Sequence, residues 1–396
     1  MGGGALEQTD KRPEIIKKTW RLRSLSKLKK IAIIVIIISL CLGSAGALYL
    51  RRLSDMDTVF KNIDWTGEDN ETNSPDMNAA FSGQKIINIA LLGHDSNDAR
   101  VKKRLKGYTG LVDANMVAAV NIETGEVNIV SIPRDSLVPI YNQGKYKDKI
   151  NSANYWGWSN GLPGVEDKVE AGLITQVETI SKVLGGVPIH FYVSVDMEAV
   201  KEIVDIMGGV WYDVPKDVTD WNGRLLVGKG YQKLDGLKFM YFIRSRKGSS
   251  DRVRAANQQA ILKAAFSQFK QANKLIYAPQ VFLGMTRNVR TNLSIEQILA
   301  LARFATQKID SDSISNNTLA GRYESGGIPG RRESLPYYLL DHPKRVKLVE
   351  NIWGKVVEPG PPDTLLPPLK KEDPETEPGA GPSDEPSELE DFLLEP

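Results

Sequence analysis

The chain has 396 residues, 25% charged and 41% hydrophobic, a globular composition with room for one large domain or two ordinary ones. A single cysteine, Cys41, excludes an internal disulfide and a Cys-based zinc site, and three scattered histidines (His94, His190, His342) argue against a His-rich metal centre. The formal net charge is only +2, but residues 1–30 are basic and residues 356–396 acidic.

Residues 31–50 form an uncharged apolar run long enough to cross hydrocarbon. The basic residues ahead of it, set against only Arg51-Arg52 and then Asp55 and Asp57 behind it, place the N-terminus inside the cell. The body then lies outside the cytoplasm, on a single-pass anchor. Ala45-Gly46-Ala47 also resembles a signal-peptide cleavage site, but the long apolar run and extended basic segment favour a retained anchor. The positive-inside pattern accounts for the basic tail without nucleic acid as a partner. Residues 51–83 read as a polar stalk able to reach on the order of 100 Å when extended.

The body, residues 84–355, opens with the apolar strand 86–92, followed by Gly93-His94-Asp95-Ser96 and a basic loop. Asp113 precedes strand 116–122, Glu123-Thr124-Gly125 turns, and strand 127–132 returns to Pro133-Arg134-Asp135. A hairpin's first residue and its last share one edge, so Asp113 and Arg134 are neighbours. An antiparallel first strand adds Asp95. Two carboxylates and an arginine at a sheet edge suit a divalent cation with phosphate, since Mg²⁺ takes one or two carboxylates and fills its shell with phosphate oxygens and water. Taken singly, each aspartate also reads as an ordinary strand-end residue.

Residues 155–158 read as an aromatic loop, 166–184 and 196–207 as helices, and 187–193 as a strand in which His190 is a packed or exposed sheet residue rather than a ligand. Alternating strands and helices indicate an α/β domain. Residues 239–243 (FMYFI) read as a buried strand, whose period-2 alternation puts Arg244 and Arg246 on one face at its end. Gly248-Ser249-Ser250 turns into a helix from Asp251 to about Phe269, on which Asp251, Arg254 and Gln258 share a face. Three guanidinium groups and an amide then converge on one volume, beside a helix N-terminus suited to phosphate. Ser294 and Gln297 form a capping box for a further helix. Residues 310–355 are Gly-rich, and the tail beyond them is acidic, Pro-rich and expected to be without structure.

In order, the segments 88–96 (NIALLGHDS), Asp113 with its strand, 130–136 (VSIPRDS), 149–151 (KIN), 184–196 (LGGVPIHFYVSVD), 208–210 (GGV) and 244–259 resemble the LytR-CpsA-Psr family, over about residues 84–350. The resemblance implies a mixed central sheet flanked by helices in three αβα layers, an apolar channel for a lipid, and transfer of a glycopolymer from a polyprenyl-pyrophosphate carrier to peptidoglycan. It implies Asp95 and Asp113 as Mg²⁺ ligands, and Arg134, Arg244, Arg246, Arg254 and Gln258, with Lys149, around the pyrophosphate. Leu111 stands where the family usually has an arginine, Ala114 for a threonine, Val253 for a glycine and Asn257 for an arginine. Two other readings stay open: a polyprenyl-pyrophosphate phosphatase, which would use the same residues, and a non-catalytic lipid- or glycan-binding protein, which the missing arginine at 111 keeps alive.

Overall fold

A computed structural model describes residues 55–61, 63, 85–94, 108, 110–245, 251–274, 281, 289–360 and 363–367. All belong to the unit Leu53–Pro396. The basic tail, the apolar run 31–50 and most of the stalk lie outside the described residues. Among those described, no helix is long and apolar enough to cross a membrane.

Strand β1 (Ile86–His94) lies within a six-stranded mixed sheet of order β11-β6-β1-β2-β3-β12. β2 (Val112–Asn121) pairs antiparallel with β1, and β3 (Val127–Ile132) antiparallel with β2. β6 (Phe191–Asp196) runs parallel to β1, β11 (Val289–Thr291) antiparallel to β6, and β12 (Ile314–Thr318) parallel to β3. The β2–β3 turn is set by the Asn121 side chain, which accepts from the backbone N–H groups of Glu123 and Thr124, and by Gly125 at φ 80°. That positive φ favours glycine, and a Cβ at Gly125 would lie 2.6 Å from the carbonyl oxygen of Lys308.

Both faces of the sheet are covered, which is why β1 reads as a near-continuous apolar run rather than an alternating one. Ile87, Ile89, Ala118 and Val120 pack against Phe60, beside α1 (Met56–Val59), and against Ala300 and Phe304 of α7 (Ile295–Gln307). Ala90, Leu92, Val117 and Val130 pack on the opposite face against Leu173 and Ile180 of α3 (Lys168–Val183) and Val349 and Trp353 of α8 (His342–Trp353). A mixed sheet flanked by helices is the fold expected. Asp167 caps α3 through the N–H of Val169, and Ser294 with Gln297 forms the expected capping box on α7.

A smaller core surrounds Val210, Leu234, Phe239 and Ile261. It joins the two-stranded sheet β7 (Val210–Val214) with β10 (Gly230–Leu234), the hairpin β8 (Val218–Thr219) with β9 (Leu225–Val227), and helices α4 (Met197–Ile206), α5 (Gly236–Arg244) and α6 (Asp251–Gln271). A third core gathers Leu137, Ile328, Tyr337 and Leu339 from the ribbons β4 (Leu137–Pro139) with β5 (Lys147–Lys149) and β13 (Gly321–Ile328) with β14 (Arg331–Leu340).

Several expectations are corrected. Residues 239–243 are helical, within α5, not a strand. Asp235 caps that helix by accepting from the Lys238 N–H, and Phe239, Met240 and Phe242 are buried along it. A five-residue apolar run does not separate strand from helix, whereas the cap does. Residues 155–158 are not a loop but part of helix α2 (Ala153–Asn160). It lies close against α3 through glycines: a Cβ on Gly157 would come within 2.4 Å of Ala171 O, and one on Gly172 within 2.6 Å of Asn154 O.

Strand β6 starts at Phe191 rather than 187, since residues 187–190 lead in with Pro188, which has no N–H for a ladder. His190 therefore lies one residue ahead of the strand and is packed there: its Nδ1 accepts from the Asn88 N–H, and burial pushes its pKa down to about 4. The Gly-rich stretch 310–355 supplies three strands and a helix. The chain also stays on the body past residue 355. Arg345 donates to the carbonyls of Glu358 and Pro359, Lys147 Nζ bonds Asp363 at 2.6 Å, and Gly327 and Leu366 exchange backbone hydrogen bonds.

Candidate active site

The C-terminal ends of β1, β3 and β6 meet the N-terminal end of β2 at one sheet edge. His94 is registered with Val112 on one side and Asp196 on the other, and Asn115 with Ile132. This register brings Asp113 to Arg134, whose Nη1 donates to Asp113 Oδ1 at 3.0 Å. Arg134 Nε lies 3.5 Å from Asp135 Oδ2, and Lys149 Nζ lies 3.0 Å from Asp135 Oδ1. Four charges of alternating sign therefore run in a line from β2 to β5. Asp113 sits inside β2, one residue from its start, rather than ahead of the strand.

Electrostatics fix the arginine as a cation. Burial alone would lower the Arg134 pKa, but the carboxylates of Asp113 and Asp135 outweigh it and raise the value. Asp113 is 34% exposed, and no described residue bonds its Oδ2, so the pair is open to a ligand on one side. The buried Ser136 Oγ and Asn151 Oδ1 have no hydrogen-bond partner among the described residues, and the Asn151 N–H donates to the Arg134 carbonyl. Unsatisfied buried acceptors beside a cation favour a polar guest.

The edge rests on a second ion pair. Asp148, 1% exposed, receives Trp156 Nε1 at 3.1 Å and lies 3.5 Å from Arg331 Nη1. Burial, with Asp148 nearby, pushes the Tyr337 pKa to about 12, and the Lys149 ammonium stands 5.6 Å from the Tyr337 ring. On β1 and β6, buried His94 Nδ1 lies 3.2 Å from Ser194 Oγ.

The expected residues divide into three groups. Asp113, Arg134 and Lys149 are brought together. Arg244 ends α5 and is exposed, so the strand alternation that paired it with Arg246 does not apply. Arg254 lies in the first turn of α6, and Gln258 Nε2 donates to the Ile243 carbonyl at 2.7 Å, tying α6 to the last turn of α5. Part of that amide is thus engaged by backbone. Asp95 and Arg246 lie outside the described residues. Sequence reasoning missed Asp135, Asp148, Arg331 and Tyr337. Asp135 had a signal, directly following Arg134, while Arg331 and Tyr337 come from a ribbon about 180 residues further on.

These donors suit a metal only in part. Asp113 offers one open carboxylate oxygen, which suits a hard cation that completes its shell with phosphate and water. Both Asp135 oxygens face cations. Among the described residues there is no group of three or more His, Cys, Asp or Glu placed to hold a metal.

Residues 54–351 match the LytR_cpsA_psr family. An uncharacterized Staphylococcus aureus protein is 33% identical over 56% of this chain, an alignment that spans only 51% of that relative's length. A Bacillus cereus protein named polyisoprenyl-teichoic acid–peptidoglycan teichoic acid transferase TagU is 30% identical over 61% of this chain and 72% of its own. In fold, the structure of TagT bound to LIIa-WTA superposes with a TM-score of 0.54, at 21% identity, over 75% of this chain and 97% of that one.

Proposed function

The chain belongs to the LytR_cpsA_psr family, and from that premise we propose that it moves a glycopolymer from a polyprenyl-pyrophosphate carrier onto peptidoglycan, outside the cytoplasm, on a membrane anchor formed by residues 31–50. The relative named as a TagU transferase supports the reaction class. The observation that carries the reading is the Asp113–Arg134 pair, a partly exposed acid and a fixed cation from the two ends of one hairpin.

Phosphoryl transfer needs position and charge neutralisation more than covalent participation by the protein. A wall-glycan hydroxyl attacks the sugar-linked phosphorus, the phosphorus–oxygen bond to the lipid phosphate breaks, and polyprenyl phosphate leaves. Arg134 and Lys149 hold non-bridging oxygens from the sheet edge. Arg244, Arg254 and Gln258, from α5 and α6, hold the pyrophosphate together with Arg246. A carboxylate oxygen of Asp95, or the one open oxygen of Asp113 when no metal occupies it, takes the hydroxyl proton. Mg²⁺, when bound, would be held by Asp113 and Asp95 and would supply charge neutralisation on the phosphate oxygens.

Incubating the purified full chain with a polyprenyl-pyrophosphate sugar, with and without a peptidoglycan acceptor and Mg²⁺, tests this. Polyprenyl phosphate and a glycan–peptidoglycan product are expected. Release of a free sugar phosphate in place of the ligated product would point to a phosphatase, and binding with no turnover would leave a lipid-binding protein.

A further inference from the structure

The β7–β10 ribbon presents an aromatic face that the proposed chemistry does not use. In its antiparallel register Trp211 lies opposite Lys233, and Asp213 opposite Tyr231. Val210, Val214 and Leu234 turn inward and are fully buried. Alternation therefore puts Trp211, Asp213, Tyr231 and Lys233 on the outer face. There the Trp211 and Tyr231 rings stack, with centroids 5.5 Å apart and planes 18° apart. They remain 48% and 72% exposed. The ribbon is held firmly, because the Gln268 amide accepts from the Trp211 N–H and donates to the Trp211 carbonyl at 2.8 and 2.7 Å, as a neighbouring strand would.

Single exposed aromatics are ordinary on a protein surface, but in a stacked pair on a rigid ribbon each ring braces the other and holds its outward face in one orientation. Its flanks decide what it fits. Asp213 and Lys233 carry opposite charges, so the face has no net field for an anionic membrane, which would call for a basic rim. Two rings offer on the order of 150–250 Å² each, short of the roughly 800 Å² per partner of a stable protein interface. A flat π surface edged by one acceptor and one donor suits the C–H face and hydroxyls of a pyranose ring.

We infer that the Trp211–Tyr231 face is a saccharide-binding platform that takes the acceptor glycan. The acceptor role rests on the transfer reaction proposed above, whereas the saccharide binding does not. The platform leads through Asp235 straight into α5, whose last residue is Arg244. Helix α5 is nine residues, about 14 Å, from end to end.

Titration calorimetry of the full chain with a soluble β-1,4-linked N-acetylglucosamine tetramer tests the platform. Wild type binds; Trp211→Ala and Tyr231→Ala each weaken binding at least about tenfold. Trp211→Phe retains it, which separates lost stacking from misfolding, and Trp221→Ala, at an exposed tryptophan of the β8–β9 turn, leaves it unchanged. Acceptor-independent release of polyprenyl phosphate is unaffected in all four variants, while the KM for acceptor rises in the two alanine variants at 211 and 231. The proposal is overturned if wild type does not bind the tetramer, or if both alanine variants bind it equally well. It is also overturned if these substitutions abolish binding to phosphatidylcholine–phosphatidylglycerol vesicles and not to sugar. A chain that binds sugar yet never releases polyprenyl phosphate sinks the transferase reading and leaves the platform standing.

Discussion

The sheet edge around Asp113 and the helical segment around Arg244 carry the same kinds of residue, and they are built in opposite ways. At the edge, β-ladder register fixes the charges: Asn115 opposite Ile132 carries Asp113 to Arg134, and Leu137 opposite Lys149 carries Lys149 to Asp135. Around Arg244 the charges hang from the last turn of one helix and the first turns of the next, joined by the Gln258–Ile243 hydrogen bond. A register permits one pairing. One side-chain hydrogen bond between two helices constrains the groups around it less than a β-ladder does.

That difference sets the size and kind of mutational effect in each region. The largest lies at the edge, where Asp148→Ala leaves Arg331 buried beside no carboxylate. A loss of about 3–5 kcal/mol in chemical denaturation is expected, and a loss under about 1 kcal/mol would show that the ion pair does not support the edge. In the helical region, Arg244→Lys keeps the charge and loses the planar fork. Turnover there falls about a hundredfold with an unchanged melting temperature. Unaltered kcat/KM in this variant removes the helical region from the site and leaves the edge alone.

A pH dependence separates the two regions further. His190 exchanges hydrogen bonds with Asn88 at the root of β1, and its folded pKa of about 4 lies below the ordinary 6.5. The unfolded chain takes up this proton below pH 6.5 and the folded chain does not until about pH 4, so stability falls as pH drops through that window. The loss approaches about 2 kcal/mol after allowance for the partial exposure of the ring. His190→Gln should flatten this slope; an equal slope in the variant would mean that other groups carry it. The smallest effect is again in the helical region. Gln258→Ala removes one bond to a backbone carbonyl, for about 1 kcal/mol of stability, measured by denaturant midpoint. A drop far beyond that would mean the junction is as rigid as the sheet edge.

The same contrast explains what could be read from sequence. The hairpin announced itself through Glu123-Thr124-Gly125 and two apolar strands, and the meeting of Asp113 and Arg134 followed from it. Ser294 and Gln297 likewise announced α7 by a local cap. Residues 239–243 failed because the apolar run was weighed without Asp235, the cap that makes it helical. Arg331 and Tyr337 were illegible for another reason. The β13–β14 ribbon has a largely exposed first strand and reaches Asp148 only through tertiary packing, which no local pattern encodes.

The central claim is that Arg134, paired with Asp113, holds the reacting phosphate. Polyprenyl phosphate release from a lipid-pyrophosphate sugar, measured side by side for wild type and Arg134→Ala at saturating Mg²⁺, tests it most directly. The account predicts a rate lower by about 10²–10³ in the variant with the fold intact by circular dichroism. Equal rates in two folded proteins would contradict it.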